Sequence, residues 1–309
     1  MRKGKPPKFP KVRTLGVNNW IKARTAVNPK RWKMVTGFMR LVVKSGPYYR
    51  YPLLGGVLKK LMMFSPAESS YTQAYLLNLN EQIAAQSQGV IMPVKMIEKV
   101  IKESSYRAIM NRCICRDGNN CSLYPKDLGC IFLGEGARVL EQRGVGRSAS
   151  IEQALGHVSR AAALGLVGQT LWIEVEQYIW GIRDQDMHRF LELCFCCPCC
   201  CTSLGLAKNV TPDVRKRFQS IGWKAEIVGN CTRCGVCVSV CPVGAPRCEG
   251  DWVTVRQDEC LGCGLCAGRC PESAIRLRLV RPVLGDLKDY YAASGLRLDL
   301  GRGGDSVSG

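Results

Sequence analysis

Residues 231–242 read CTRCGVCVSVCP and residues 260–271 read CLGCGLCAGRCP. Both follow C-x2-C-x2-C-x3-C-P, the spacing with which a chain holds [4Fe–4S] cubanes. Three thiolates at this interval let a tight loop wrap three corners of one cluster, while the fourth, ahead of Pro, ligates the other. The expected sets are Cys231, Cys234, Cys237 and Cys270 for one cubane, and Cys260, Cys263, Cys266 and Cys241 for the second. Gly235, Gly262, Gly264 and Gly268 allow the backbone close to inorganic sulfur and offer it N–H groups. Zinc also accepts four thiolates. Its ribbons use paired C-x2-C motifs, however, and not a run of three cysteines closed by C-P, twice over.

With those residues in place, the segment from about 223 to 280 resembles the dicluster bacterial ferredoxins. That resemblance implies a compact pseudo-twofold fold, a short sheet with two small helices, and one-electron transfer at low potential. A wider resemblance covers roughly residues 70–280. There NRCICRDG, DLGCIFLGEGAR, GLVGQTLWIEVEQYIWGI and CFCCPCCC, followed by the repeat, are similar to a family of 4Fe–4S dicluster proteins from anaerobic microbes. It implies an architecture and no particular substrate. Residues 1–60 and the C-terminal tail lie outside it.

The chain has 19 cysteines in 309 residues, so eleven lie outside the repeat motifs. Cys113, Cys115, Cys121 and Cys130 sit in NRCICRDGNNCSLYPKDLGC, and LELCFCCPCCC supplies Cys194, Cys196, Cys197, Cys199, Cys200 and Cys201. Adjacent thiols pair poorly as disulfides, and six cysteines in eight residues are hard to read as core filling. A soft metal is the natural ligand, iron–sulfur first and zinc or copper second. The spacing fits no standard cubane, so both segments are expected to contribute to one further centre, with two as the alternative. Cys248, alone between the motifs, reads as a bystander.

An odd cysteine count in a chain this long excludes a small secreted disulfide scaffold. No stretch is long and apolar enough for a transmembrane helix. MRKGKPPKFPKVR has no apolar core behind its charges, unlike a secretory signal; it lacks acids but is poorer in Ser than a transit peptide. A reducing, cytoplasmic setting follows, where thiols serve as metal ligands. The net charge of +19 is unevenly placed. Residues 1–60 hold 16 of 44 Lys and Arg and no acid, which leaves 28 basic against 25 acidic residues beyond them. Trp32, Val35, Phe38, Met39, Val42 and Val43 recur there at helical spacing. Three readings of this arm compete: an extension that packs its stripe on the body, a docking surface for an anionic membrane or acidic redox partner, and nucleic acid. The last has no supporting motif.

Along the body, 93–111 is expected as one helix, and SIEQ from Ser150 opens another with a capping box. Leu171, Ile173 and Val175 alternate as in a strand, and Asp184 is expected to cap a helix running into the cysteine block. Thr211-Pro212-Asp213 opens a helix closing at Gly222, and WKAEIVGN reads as a strand. The GVGRSA run at 144–149 follows no strand and reads as a helix-ending turn, not a dinucleotide loop. His157 and His188 read as structural, while Glu174 and Glu176 are candidate polar walls of a site.

The fold class expected is therefore α+β. A basic arm at 1–67 leads to a mostly helical cysteine-containing region at 68–222. A dicluster ferredoxin-like domain at 223–280 and a disordered tail at 281–309 complete it. The leading function is iron–sulfur electron transfer through two [4Fe–4S] clusters to or from a further cysteine-ligated centre, with a redox partner protein. The arm would allow peripheral attachment to the cytoplasmic face of a membrane. The alternatives are a redox enzyme whose cysteine-rich centre is catalytic, and a redox sensor.

Overall fold

The computed structural model describes residues 15–62, 72–79 and 93–301. Residues 1–14, the segment around Glu68 and the GRGGDSVSG run beyond Gly301 lie outside them. Helices and strands are mixed, and the ferredoxin repeat closes the C-terminal part.

In the middle region the helices pack around a seven-stranded sheet that the sequence reading did not foresee. Seven strands take the order β4-β2-β3-β6-β5-β1-β7. Their ranges are β1 Gln73–Leu77, β2 Arg107–Met110, β3 Ile131–Leu133, β4 Gly146–Ser148, β5 Val167–Trp172, β6 Leu191–Cys196 and β7 Phe218–Ser220. All neighbours are antiparallel except β1 and β7. The strands are short, and every residue of β3, β5 and β6 is buried. Strands covered on both faces need not alternate cleanly between apolar and polar residues, as β3 and β5 do not, and that hid them among helical patterns.

Four further expectations are corrected. The helix from Pro93 stops at Glu103, and the chain re-enters the sheet as β2, with Ala108 at its centre. Asp184 begins a 3-10 turn, Asp184–Arg189, and not an α-helix; Arg183 occupies its cap position. The Pro212 helix is a single turn ending at Arg215, because β7 must start at Phe218 to pair with β1. Residues 281–301 are ordered: Leu287–Ala293 is a helix capped by Asp286, with Leu287, Tyr290, Tyr291, Leu296 and Leu300 buried. Tyr291 stacks edge-on against Tyr75 and donates to Thr170 Oγ1 at 3.0 Å.

The Ser150 capping box is present, and its helix, Ile151–Ala163, packs with Pro93–Glu103. Phe195 of β6 meets His157 of that helix at a ring separation of 5.4 Å. Side chains alternate along a strand. Leu191, Leu193 and Phe195 thus turn toward these helices, while Glu192, Cys194 and Cys196 turn to the opposite face. On that opposite face lies the N-terminal arm. Its helix Trp32–Ser45 buries Val35, Thr36 and Val42 against the helices Ile114–Gly118 and Thr202–Asn209. Trp32 Nε1 donates to Asp117 at 2.5 Å. The arm therefore packs its stripe on the body, yet Met34, Leu41, Leu53, Val57 and Leu61 each remain 60–88% exposed.

Candidate metal centres

The two cysteine motifs fold into units with matching local geometry. Trp223–Ile227 (β8) pairs antiparallel with Ile275–Leu279 (β11), and Pro246–Glu249 (β9) with Trp252–Val255 (β10). One short helix, Val236–Val240, starts after Gly235 at φ 74°; its counterpart, Leu265–Arg269, starts after Gly264 at φ 80°. Cys241 and Cys270 share one backbone conformation, φ −74° and ψ 115°. Four residues beyond each, a backbone N–H points at its sulfur: Ala245 to Cys241 at 3.4 Å, and Ala274 to Cys270 at 3.3 Å. Ala225 N likewise approaches Cys260 Sγ at 3.3 Å.

One cavity is lined by Cys231, Cys234, Cys237 and Cys270, and a second by Cys241, Cys260, Cys263 and Cys266. Thiol-lined cavities with N–H groups aimed at sulfur fit anionic iron–sulfur clusters. The two cavities differ in setting. Cys231 and Cys234 are exposed, whereas Cys260 and Cys266 are buried. A Cβ built on Gly262 would lie 2.1 Å from the Trp223 carbonyl oxygen, and one on Gly264 would lie 3.0 Å from Asn78, just past β1. The equivalent positions in the first motif face open space at Gly235 and tolerate Arg233 at φ 58°. One cavity is thus wedged against the sheet domain and the other faces solvent.

The remaining thiols gather opposite β6. Cys113 precedes the helix Ile114–Gly118, Cys130 precedes β3, and Cys201 precedes the helix Thr202–Asn209. The pairing of Ile131 with Leu193 sets Cys130 beside Cys194, with their sulfurs 3.1 Å apart; Cys196 and Cys201 are also 3.1 Å apart. Together with Cys115 these six thiols line a chamber roofed by Met39 and Val42 of the arm. Cys197 is a seventh thiol in that lining, while Cys121, Cys199 and Cys200 lie outside it. Cys248 is exposed on β9, apart from both cavities.

Three charged groups in the chamber escape sequence reasoning in whole or part. Glu192 Oε1 accepts from Cys194 Sγ at 3.0 Å and sits with Cys130 and Cys194 as a potential ligand set. Burial first, and the neighbouring Glu192 second, push the Glu176 carboxyl well above the carboxylate range; its Oε2 has no hydrogen-bond partner. Arg116 is 1% exposed, and its guanidinium donates to the carbonyls of Phe195, at 3.2 Å, and Leu128. Burying a guanidinium is costly unless hydrogen bonds and nearby negative charge offset it, and the ionisable groups that bear on this one are the thiols of Cys113, Cys197, Cys130 and Cys196. Burial also pushes Cys197 and Cys263 up to about 12. A bound cation deprotonates such a thiol outright. The alternation of Glu192 with Cys194 and Cys196, and the C-I-C-R run ending at Arg116, were the available signals. Glu174 is buried outside the chamber, while His157 bonds the Gly129 carbonyl at 2.7 Å as a structural residue.

Comparison with known families places a 4Fe-4S binding domain on residues 227–247 and 253–276, the two adjacent halves of the repeat. No curated protein and no solved structure matches the chain. The chain thus carries a ferredoxin-like 4Fe–4S binding region, and a cysteine-rich middle region stands beside it. Among the described residues no helix is long and apolar enough to cross a membrane.

Proposed function

We propose that the chain is an iron–sulfur electron-transfer protein that moves single electrons between an external redox partner and a buried cysteine-ligated centre, by way of two [4Fe–4S] clusters. When bound, the clusters supply one-electron chemistry at low potential. Cys231, Cys234, Cys237 and Cys270 hold the outer one, where the exposed Cys231 and Cys234 bring it to the surface a partner meets. Cys260, Cys263, Cys266 and Cys241 hold the inner one, away from water and against the sheet. Cys113, Cys115, Cys130, Cys194, Cys196 and Cys201 are the ligands of the further centre. The helix Thr202–Asn209 links the two regions. It leaves Cys201 at its N-terminus and brings Lys208 to within 3.8 Å of the Cβ position of Gly244, beside Cys241. Eight residues of helix span only about 12 Å.

The observation that carries this reading is Arg116. A permanent positive charge at 1% exposure among thiols is compensated by the negative charge of a thiolate-ligated metal and by no carboxylate ion pair among the described residues. The resemblance of residues 70–280 to dicluster proteins of anaerobes supports the same reading. The test is iron and acid-labile sulfide per chain after anaerobic purification, with EPR of the reduced protein. About twelve irons are expected; about eight would confine iron to the repeat and remove the buried iron centre.

A second reading, in which the chamber is catalytic, is favoured by Glu176. A buried carboxyl in the chamber lining, held toward its neutral form and with an oxygen lacking a hydrogen-bond partner, is placed to deliver a proton beside the thiols, as a reductase requires. The exposed apolar residues of the arm, interleaved with Lys33, Arg40, Lys44 and Lys60, suit the surface of an anionic bilayer.

A further inference from the structure

The ten thiols outside the repeat do not converge on one point. Cys121, Cys197, Cys199 and Cys200 place their four Sγ atoms all within 4.8 Å of one another, and Cys121 and Cys199 stand 3.8 Å apart. A tetrahedral ion bound through thiolates at about 2.3 Å sets its sulfurs roughly 3.8 Å apart. A cubane carries its thiolates on four separate irons and spreads them farther. Within this chain the contrast is internal: among the described residues the eight thiols of the repeat form no group so close.

We infer that Cys121, Cys197, Cys199 and Cys200 bind a single zinc ion in a closed tetrahedral site, separate from the iron–sulfur centres. Four protein thiolates leave no open position, the mark of a structural zinc site, and soft sulfur ligands select zinc over magnesium, calcium or manganese. The Cys197-Pro-Cys199-Cys200 run departs from the usual zinc spacing, so the fourth ligand has to come from elsewhere, and the fold supplies it. Asn119 Nδ2 donates to the carbonyls of Cys115 at 3.0 Å and Cys200 at 3.1 Å, tying the two segments together beside the site. The Cys121 N–H donates to the Arg116 carbonyl at 2.8 Å, after a turn in which Asn120 takes φ 48°. Cys121 and Cys197 are buried, Cys200 is half-buried and Cys199 is exposed, which puts the ion at the rim of the chamber.

The site does structural work for its neighbours. Cys113 and Cys115 lie on the segment that carries Cys121, while Cys194, Cys196 and Cys201 flank Cys197, Cys199 and Cys200. An ion joining the two segments fixes two walls of the chamber and leaves the other six thiols of its lining to the further centre. This inference stands whether or not the chamber holds iron.

The test uses the full chain, purified anaerobically, with zinc, iron and sulfide measured together. One zinc per chain is expected, with a first shell of four sulfurs at about 2.3 Å by zinc-edge X-ray absorption. In Cys199→Ser/Cys200→Ser the zinc should fall to near zero while iron and sulfide stay at the wild-type level. Loss of about four irons with sulfide would show a cluster instead, and loss of one iron without sulfide a mononuclear iron site; either overturns the inference. Absorption on the wild-type chain needs no variant, so a double mutant that fails to fold does not protect the inference. Mixed nitrogen or oxygen ligation would overturn it, as would absence of zinc.

Discussion

Gly262→Ala tests the claim that one half of the pseudo-symmetric repeat is locked against the sheet domain and the other is not. Gly262 has φ 66°, and an added Cβ would lie 2.1 Å from the Trp223 carbonyl oxygen and 2.6 Å from Ser220 Oγ. That carbonyl cannot drift away cheaply. Ser220 Oγ donates to it and accepts from the N–H groups of Gly222 at 3.1 Å and Trp223 at 2.8 Å, closing a tight turn. Left-handed backbone costs alanine about 1–2 kcal/mol, and relief of the overlap adds about 1–3 kcal/mol. A turn hydrogen bond lost in the process contributes roughly another 1 kcal/mol. Gly235→Ala is the matched control, because at φ 74° it pays the backbone term with nothing within 4 Å of its Cβ. The two variants should therefore differ by about 2–4 kcal/mol. The assay is bleaching of iron–sulfur absorbance in guanidinium under argon, resolved into its kinetic phases. One phase should accelerate at least about tenfold more in Gly262→Ala than in Gly235→Ala, as about 1.4 kcal/mol already gives a factor of ten. Equal rates, or a faster Gly235→Ala, would refute the docked-half assignment.

Burial holds His157 below its ordinary value of 6.5. The folded chain therefore keeps it neutral while the unfolded chain binds a proton below that pH, and stability should fall as pH drops through about 6.5. His157→Gln should flatten that slope in urea titrations between about pH 7 and 5. Tyr291→Phe leaves Thr170 Oγ1 without its 3.0 Å donor and should cost about 1–2 kcal/mol of stability, with melting unchanged if the C-terminal helix is not docked. Arg116→Met removes the chamber's buried charge. The potential of the buried centre should fall by at least tens of millivolts while those of the repeat stay put, as read by redox titration with EPR. Vesicles rich in phosphatidylserine should sediment the chain at low salt and release it at high salt, and Leu53→Asp/Val57→Asp should abolish the effect. Binding to an acidic protein without binding to vesicles would reassign the arm.

The metal-binding repeat was legible because its ligands are fixed by spacing along one chain, from Cys231 to Cys241 and from Cys260 to Cys270. The sorting of the other ten thiols was not, because it depends on strand register. Cys130 meets Cys194 only because Ile131 pairs with Leu193, and Cys121 reaches Cys199 only across the fold. The sheet itself was hidden by burial on both faces, although the alternation of Leu191, Leu193 and Phe195 with Glu192, Cys194 and Cys196 was present to be read. The ordered segment after Arg281 was missed for a different reason. Its anchors, Leu287, Tyr290, Tyr291, Leu296 and Leu300, are spread over a short helix and an irregular run with no sustained period. The arm's packing was the leading of three readings, and its apolar stripe at helical spacing was the feature that carried it.

The roof that Met39 and Val42 place over the chamber has a consequence for how the protein is made. Chains emerge from the ribosome N-terminus first, so the arm is complete long before Cys194–Cys201 exist. Part of its seat, the helix Ile114–Gly118, is made early, but the other part, the helix Thr202–Asn209, follows the whole cysteine block. Under the proposed function, metal delivery to the inner thiols thus has a time window, which opens when Cys201 leaves the exit tunnel and closes when the helix Trp32–Ser45 seats. On that reading, maturation acts within it, on a chain that has still to complete its repeat and whose helix Trp32–Ser45 is undocked.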